Sequence, residues 1–202
     1  FCSGADIREL AKGTLKSWEM KRCLWDYVQR IALTLEDLDK PGIAASNGAA
    51  MGAGLDMALM CDLRVCSEKA KLAESYITMG LVPGDGGAFF LPRLVGASKA
   101  LELLLTGEVI GPKEALEMGL VNRVVAHERL LEETMVLADI IASKPPLAVT
   151  LTKRAVIQGQ TSNLRAHLDY ISSQIALLSE TEDHREAARA FLEKRKPVFT
   201  GK

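Results

Sequence analysis

The sequence lacks long hydrophobic runs and has no excess of charge of either sign. None of its apolar stretches reaches the length of about 20 residues that a membrane-spanning helix needs. Its 25 lysines and arginines are balanced by 26 aspartates and glutamates, which gives a net charge of −1. A chain with this balance carries no basic field that would attract nucleic acid or an anionic membrane surface. The composition therefore argues against nucleic acid and the membrane as partners.

The N-terminal stretch also lacks the pattern of a secretory signal. Asp6, Arg8 and Glu9 lie where a signal peptide would carry an apolar segment. We therefore expect a cytoplasmic location, or the mitochondrial matrix if the protein is eukaryotic. Residues 1–4, Phe-Cys-Ser-Gly, have the pattern of a strand end that enters a turn, and we expect further sequence to precede them.

Cysteine and histidine are too few and too scattered to indicate a metal site. The four cysteines form no C-x-x-C pair, and none of the three histidines lies at metal-ligand spacing from them. We expect the cysteines to be free thiols in a reducing compartment. The isolated histidines are expected at the surface or at subunit contacts.

What the sequence does contain divides into two parts of different character. With 202 residues, 48% of them hydrophobic, the chain can bury a sizeable core. Short strand-like segments and glycine turns precede residue 126, and long helical patterns follow it. This order predicts an α/β core over residues 1–125 and a helical C-terminal subdomain over residues 126–202.

The spacing of hydrophobic residues predicts individual elements in both parts. Apolar residues at three- and four-residue steps predict an amphipathic helix over 18–38. Ser179 and Glu182 have the spacing of a capping box, which predicts a last helix that begins there and ends at about Lys196. Strands or extended segments are predicted at 43–46, 62–66, 71–79 and 121–125.

Three glycine-rich bends are the candidates for a functional site. Two of them, Gly4-Ala5 and Gly52-Ala53-Gly54, precede helices, where unpaired main-chain amides can approach a ligand and hold an anion or oxyanion. The third bend, over residues 80–87, carries Asp85. Each bend also has an ordinary structural explanation: a helix start, close packing of a helix on a strand, or a carboxylate that only holds its own turn.

The order of these bends along the chain resembles the crotonase superfamily, which includes enoyl-CoA hydratases and isomerases. The resemblance extends over nearly the whole chain and rests on F-x-S-G-A-D-I, N-G-x-A-x-G-A-G-L-D-M-A-L-M-C-D-L-R-V, G-L-V-P-G-D-G-G, L-P-R-L-V-G and A-L-E-M-G-L-V-N-R-V-V. It implies an α/β fold with a spiral core of ββα turns and a C-terminal helical trimerisation region. It also implies homotrimers or dimers of trimers. Members of the family usually have strands before F-x-S-G-A-D, so we expect the first strands of the fold to be missing here.

The resemblance also implies a substrate and a set of site residues. The substrate would be an acyl-CoA thioester, and no cofactor would be needed. The main-chain amides of Ala5 and Ala53 would form an oxyanion hole for the thioester carbonyl and the enolate derived from it. The other residues expected to contact the substrate or its coenzyme A are Ser3, Asp6, Ile7, Gly52, Tyr76, Pro83, Gly84, Phe191 and Lys194.

The acid and base residues depart from the two glutamates of the family's hydratases. Asp56 stands at the first of these positions and Tyr76 at the second, with Glu74 two residues before it. Asp85 lies in a turn where other members carry a functional aspartate, and it is expected to supply the second carboxylate. Asp56 and Asp85 can serve either hydration, which needs a base and an acid, or double-bond migration, which can run on one base.

We therefore predict an enzyme that stabilises the enolate of an acyl-CoA thioester. The leading prediction is a 2-enoyl-CoA hydratase. An enoyl-CoA Δ-isomerase and a catalytically inactive CoA-binding homologue are the alternatives.

Overall fold

The computed structural model describes residues 1–202 and contains five short strands in two parallel sheets. The strands are β1 (Ile43–Ser46), β2 (Ala49–Met51), β3 (Leu63–Ser67), β4 (Lys71–Ala73) and β5 (Arg123–Val125). Strands β1, β3 and β5 form one sheet in that order, and β2 pairs with β4 in the other. Every one of these pairings is parallel.

The strands lie in the first of two compact units, which consists of Phe1–Leu38 and Gly42–Thr134. The second unit consists of Asp39–Pro41 and Met135–Lys202. The boundary between residues 125 and 126 that composition suggests stays a prediction. The helices of the first unit are α1 (Ile7–Ala11), α2 (Ser17–Cys23), α3 (Gln29–Asp37), α4 (Ala53–Leu59), α5 (Gly87–Val95), α6 (Ala97–Thr106), α7 (Pro112–Glu117) and the start of α8 (Leu130–Ala142).

Successive strands alternate between the two sheets, which produces ββα turns. The chain passes from β1 in one sheet to β2 in the other and returns through α4 to β3, beside β1. In this register Ala44 lies opposite Arg64, and Ser46 lies opposite Cys66. Because parallel neighbours need a crossover connection, one strand and one helix separate β1 from β3 and β2 from β4, whereas β4 and the helices α5 to α7 lie between β3 and β5.

The helix predicted over 18–38 is present but contains an irregular turn. α2 continues into α3 through a π-helical turn, Leu24–Val28, in which the Gln29 N–H bonds to the Leu24 carbonyl. The helical segments before and after this turn are continuous with it, so the helix predicted from the hydrophobic spacing is confirmed. Spacing alone cannot reveal a single wider turn, and such turns often occur near functional sites.

The core of the first unit is built from aliphatic side chains on the strands and on the helices that follow them. Its fully buried members include Val65 on β3, Leu72 on β4 and Leu91 on α5. Burial of one such side chain contributes about 1.5–3 kcal/mol. This core fixes the N-terminal end of α4 and the bend after β4, where the polar residues discussed below lie.

The extended segment predicted over 71–79 ends early. Only Lys71–Ala73 forms a strand, and Ser75–Met79 forms a 3₁₀ helix that ends at Gly80 in the left-handed conformation. Glu74, between them, has φ −87° and ψ 73° and so leaves the strand geometry. The strand predicted at 121–125 is likewise shorter, since β5 begins at Arg123.

The second unit is helical. It contains the rest of α8, then α9 (Pro146–Gly159), α10 (Leu164–Ser179) and α11 (Glu182–Leu192). The capping box predicted at Ser179 is wrong, because Ser179 still belongs to α10. The N-cap of α11 is Thr181, whose side chain accepts the His184 N–H, and the helix ends at Leu192 rather than near Lys196.

No single helix is long and apolar enough to cross a membrane. One sharply bent pair, His127–Ala142 with Pro146–Gly159, meets that requirement by combined length and composition.

Candidate active site

The first glycine bend runs beside strand β2. Cys2 donates its N–H to the Ala49 carbonyl at 2.9 Å and accepts the Met51 N–H at 3.1 Å. Gly4 then turns the chain with φ 87°, a conformation that side chains rarely adopt. A Cβ on Gly4 would also lie 2.6 Å from the Met51 carbonyl oxygen. Both the conformation and the space therefore require glycine at this position.

The second glycine bend lies between β2 and α4 and packs against the first. Gly52 has φ 51° and donates its N–H to the Ala73 carbonyl at 2.8 Å. Gly54 has an ordinary helical backbone, but a Cβ on it would overlap the Cys2 carbonyl oxygen. Glycine at this position is therefore required by the close approach of two main chains.

These contacts bring the predicted pair of amides, those of Ala5 and Ala53, into neighbouring bends. The Ala53 nitrogen lies 3.6 Å from the position that a Cβ on Gly4 would occupy, and Gly4 directly precedes Ala5. Neither the Ala5 nor the Ala53 amide donates to a main-chain carbonyl. The two bends therefore present two adjacent, unpaired N–H groups of the kind that can bind an oxyanion.

Three residues bring acid and base groups together beside the second bend. Asp56, in the first turn of α4, is fully buried, and Asp85 is 7% exposed. The Tyr76 hydroxyl donates to Asp56 Oδ2 at 2.6 Å and lies 3.3 Å from Asp85 Oδ2. A single phenolic hydroxyl thus connects the two carboxyls that the sequence singled out.

The Tyr76 ring lies between the second and third bends. A Cβ on Gly52 would lie 3.6 Å from one edge of the ring, and a Cβ on Gly84 would lie 3.9 Å from the other edge. The Gly84 carbonyl accepts the Gln29 side-chain amide at 2.7 Å, which ties α3 to the third bend. Pro83 in this bend is half-buried. Tyr76 is therefore both a wall of the site and a hydrogen-bond donor within it.

Glu74 is a buried acid of this cluster that the sequence did not single out as a site residue. Its side chain is 2% exposed, and neither of its carboxyl oxygens has a hydrogen-bond partner. A Cβ on Gly87 would lie 2.9 Å from Glu74 Oε1 and would overlap Asp56 Oδ1. Glu74 follows the buried Leu72 by two residues. Because alternate side chains of a strand point to the same side, this spacing is the sequence signal from which the burial of Glu74 could be predicted.

Burial controls the protonation of these groups. It raises the pKa of Asp56 to about 6, although the Tyr76 hydrogen bond acts in the opposite direction. Burial and the neighbouring Asp56 raise the pKa of Glu74 to about 9. Burial also raises the pKa of Asp85 and, together with the hydrogen bond to Asp56, that of the Tyr76 hydroxyl. At neutral pH the cluster thus contains an ionised Asp56 beside a neutral Glu74 and a neutral tyrosine.

The remaining predicted residues of the first bend have different surroundings. Ser3 is exposed, and Ile7 is 47% exposed at the start of α1. Asp6 is the N-cap of α1, and its carboxylate accepts the Arg8 N–H at 2.8 Å. Asp6 therefore has a structural task, and the predicted contact of these three residues with coenzyme A stays a prediction.

Phe191 and Lys194 belong to the second unit. Phe191 lies in α11 and is 84% exposed, whereas Lys194 follows the helix with φ 53°, the only positive φ at a residue other than glycine. Their predicted place at the border of the acyl or coenzyme A site stays a prediction.

The arrangement in the first unit has the chemistry of an enzyme that forms an oxyanion and moves protons beside it. Paired unbonded amides can stabilise negative charge on a carbonyl oxygen, and carboxyls with raised pKa values can exchange protons near neutral pH. The groups lie on the three glycine bends, on the first turn of α4 and on the segment that follows β4. This combination defines a class of acyl-transfer or enolate-forming enzymes.

Comparison with known proteins identifies the family within that class. The sequence profile of the enoyl-CoA hydratase/isomerase family matches residues 1–202. A crotonyl-CoA hydratase of Syntrophomonas wolfei is 41% identical over 202 residues, which are 100% of this chain and 76% of that protein. A probable mitochondrial enoyl-CoA hydratase 2 of Arabidopsis thaliana is 38% identical over 201 residues, or 100% of this chain and 66% of that protein.

A solved structure supports the same assignment. The crystal structure of an enoyl-CoA hydratase subunit from Geobacillus kaustophilus HTA426 is 42% identical and superimposes with a TM-score of 0.91. The match covers 100% of this chain and 77% of that one.

The chain belongs to the enoyl-CoA hydratase/isomerase family. The predicted family, its crotonase-like fold and the predicted enoyl-CoA hydratase or isomerase type of enzyme are confirmed by these comparisons. Enzymes of this family act on coenzyme A thioesters. The predicted roles of individual residues are untested by them and are argued below.

Proposed function

We propose that this protein hydrates 2-enoyl-CoA thioesters to 3-hydroxyacyl-CoA thioesters. One observation carries the proposal: the unpaired Ala5 and Ala53 amides lie in bends that adjoin Asp56, and Asp56 is joined to Asp85 through the Tyr76 hydroxyl. A site of this composition supplies the electrophilic donors, the base and the acid that addition of water to a conjugated thioester requires.

In the proposed reaction, ionised Asp56 takes a proton from water as the water oxygen bonds to C3 of the enoyl group. The C2–C3 double-bond electrons move toward the thioester, and the resulting enolate oxygen accepts hydrogen bonds from the two amides. In the proposal Asp85 holds a proton, a form that burial favours because it raises the pKa of this carboxyl, and gives that proton to C2. Tyr76 bridges the two carboxyls, so the proton taken by Asp56 can pass to Asp85 and restore the starting state.

The alternative activity is migration of the double bond in a 3-enoyl-CoA. The specific observation in its favour is that a tyrosine, rather than a second glutamate, contacts Asp56. A single base whose pKa is about 6 can remove a proton from C2 and return it to C4. This route needs no activated water and leaves Asp85 with a supporting role.

An assay with two substrates separates these activities. We expect crotonyl-CoA to lose its conjugated enoyl absorbance, with 3-hydroxybutyryl-CoA as the product identified by mass. Gain of that absorbance from 3-hexenoyl-CoA, with no loss from crotonyl-CoA, would reject hydration in favour of migration. Binding of CoA thioesters without turnover of either substrate would indicate an inactive homologue.

The residues proposed to contact coenzyme A are those of the first bend and two of the C-terminal part. We propose that Ser3, Ala5, Asp6 and Ile7 lie along the adenine and pantetheine, and that Phe191 and Lys194 border the site. The reaction as written uses only amides, carboxyls and one hydroxyl of the chain, so it involves no added cofactor.

We further propose that the chain forms homotrimers or dimers of trimers. The proposal is supported by exposed apolar side chains on the helices of the second unit, among them Val156, Ile175 and Leu177. The proposed location is the cytoplasm, or the mitochondrial matrix as in the name of the Arabidopsis thaliana relative. Sedimentation equilibrium of the purified chain tests the oligomeric state.

A further inference from the structure

Glu74 has no role in the reaction proposed above, yet it is buried beside the base. Neither of its carboxyl oxygens has a hydrogen-bond partner, and Asp56 Oδ1 has none either. Native structures contain few buried polar atoms without a partner, so three of them on two neighbouring side chains need an explanation.

The surroundings of Gly87 show that the two acids face the same small space. A Cβ on this residue would overlap Asp56 Oδ1 and would lie 2.9 Å from Glu74 Oε1. The two oxygens therefore border one point above the Gly87 main chain. A proton shared by them converts two of the three unpartnered acceptors into a donor and an acceptor, and only Glu74 Oε2 is left without a partner.

The hydrogen bonds decide which of the two acids carries that proton. The Tyr76 hydroxyl donates to Asp56 Oδ2 and so favours the ionised form of Asp56, whereas no side chain donates to Glu74. A negative charge on Asp56, and to a smaller extent one on Asp85, opposes the ionisation of Glu74. The pKa of Glu74, raised to about 9, agrees with a neutral carboxyl at physiological pH.

We propose that Glu74 is a positioning residue, which donates its carboxyl O–H to Asp56 Oδ1 and thereby keeps the buried Asp56 ionised. The inference rests on the proposed function of Asp56 as the base. Tyr76 and Glu74 hold one oxygen of Asp56 each, so the carboxylate has a single orientation. Glu74 itself exchanges no proton with the substrate.

Two substitutions of similar size test this role. Glu74→Gln keeps an N–H donor and cannot ionise, whereas Glu74→Met fills the space without a donor. We expect Glu74→Gln to retain kcat/KM within about 3-fold, with an unchanged acid limb of the pH profile. Loss of the donor in Glu74→Met should move that limb up by about one pH unit, as expected for loss of a hydrogen bond to a charged group.

Two outcomes of the kinetic test would overturn the proposal. If Glu74→Gln loses as much activity as Glu74→Met, ionisation of Glu74 is required and it is not merely a donor. If both variants keep the wild-type acid limb, Glu74 does not act on Asp56.

Infrared spectroscopy tests the same proposal without turnover. At about pH 7 the wild type should show, beside the band of protonated Asp85, the carbonyl stretch of a second buried, protonated carboxylic acid, and Glu74→Gln should lack this second band. Absence of this band from the wild type would overturn the proposal even if Glu74→Met failed to fold. If the wild type turns over no enoyl-CoA but shows the band, the proposed function fails while the protonation of Glu74 is upheld.

Discussion

One half of the candidate site consists of main-chain amides and the other half of ionisable side chains. The half around Ala5 and Ala53 is main chain, held by the contacts that Gly4 and Gly54 make with carbonyl oxygens. The half around Asp56 consists of ionisable side chains whose protonation depends on burial and on one another. The arrangement of the main-chain amides therefore depends on the shape of the two bends and is insensitive to pH. The protonation of the side chains, in contrast, changes when a single hydrogen-bond donor or charge is lost.

This contrast separates binding of the substrate from proton transfer. An added Cβ disturbs the amides without changing any charge, and a change from carboxyl to amide alters the charge without moving the main chain. Substitutions in one half should therefore change kinetic properties that substitutions in the other leave alone.

Asp56→Asn removes the proposed base and keeps the size of the side chain. We expect kcat with crotonyl-CoA to fall by about 10²–10⁴-fold, the usual contribution of a general base. The dissociation constant for an enoyl-CoA should change little, because the amides stay in place. Asp169→Asn, the same change at an exposed position of α10, is the control. Turnover of Asp56→Asn equal to that of the control would remove Asp56 from the reaction.

Gly54→Ala changes the half of the site that consists of main-chain amides. Its Cβ would overlap the Cys2 carbonyl oxygen, so the two bends must separate. We expect kcat to fall by about 10²–10³-fold, as for loss of one oxyanion donor, with no shift of the pH profile. Gly111→Ala is the control, because no atom lies within 4 Å of its added Cβ. Kinetics across the pH range and circular dichroism would show whether the defect is local.

Tyr76→Phe removes one hydrogen bond from the side-chain half. We expect a decrease in kcat/KM of about 10-fold, since a hydrogen bond to a charged group contributes about 1.5–3 kcal/mol. The pKa of Asp56 should rise, because this hydrogen bond lowers it, and the acid limb should move to higher pH. Tyr27→Phe, at a position that is 74% exposed, should change neither property. An unmoved acid limb in Tyr76→Phe would contradict the proposed contact.

The last expected effect concerns stability rather than turnover. The pKa of Glu74 is raised in the folded chain to about 9, against about 4.3 when unfolded, so the folded state keeps a proton that the unfolded state releases. Its contribution to stability is complete below the unfolded pKa and is lost as pH rises through the folded one. The free energy of unfolding should thus fall between about pH 6 and 9, by up to about 1.4 kcal/mol per unit.

Urea unfolding at several pH values measures this slope. Glu74→Gln should flatten it, because glutamine releases no proton in either state. Asp56 titrates near pH 6 in the folded chain and adds a slope of the same sign only below that value. Equal slopes in wild type and Glu74→Gln above about pH 6 would show that Glu74 is ionised in the folded protein.

The main-chain half could be predicted from sequence because glycine marks it. Gly4 and Gly52 occur just before helices and Gly54 lies in the first turn of α4, and their spacing matched a family pattern, so the two bends could be predicted. Their close contact could not be read from one sequence, since it depends on pairing between residues that are far apart in the chain. The contact of Cys2 with Ala49 and Met51 is of this kind.

The side-chain half could be predicted only in part. The resemblance predicts a role for Asp56, and the glycines of the third bend predict one for Asp85, but neither indicates Glu74 beside Tyr76. Its importance comes from burial next to another acid, which requires the packing of α4 and α5 around Gly87. The 3₁₀ helix after Glu74 and the π-helical turn at Leu24–Val28 were missed because a local change of winding leaves no periodic signal.

The hydrogen bond between Gln29 and the Gly84 carbonyl bears on how the site assembles during folding. It joins residues 55 positions apart, and the intervening chain includes β1 to β4. The entropic cost of closing such a long loop is offset only after these strands have paired, so the contact should form late. The turn that carries Asp85 would then reach its final position last, and a partly folded chain would lack proton transfer even where its strands are already ordered.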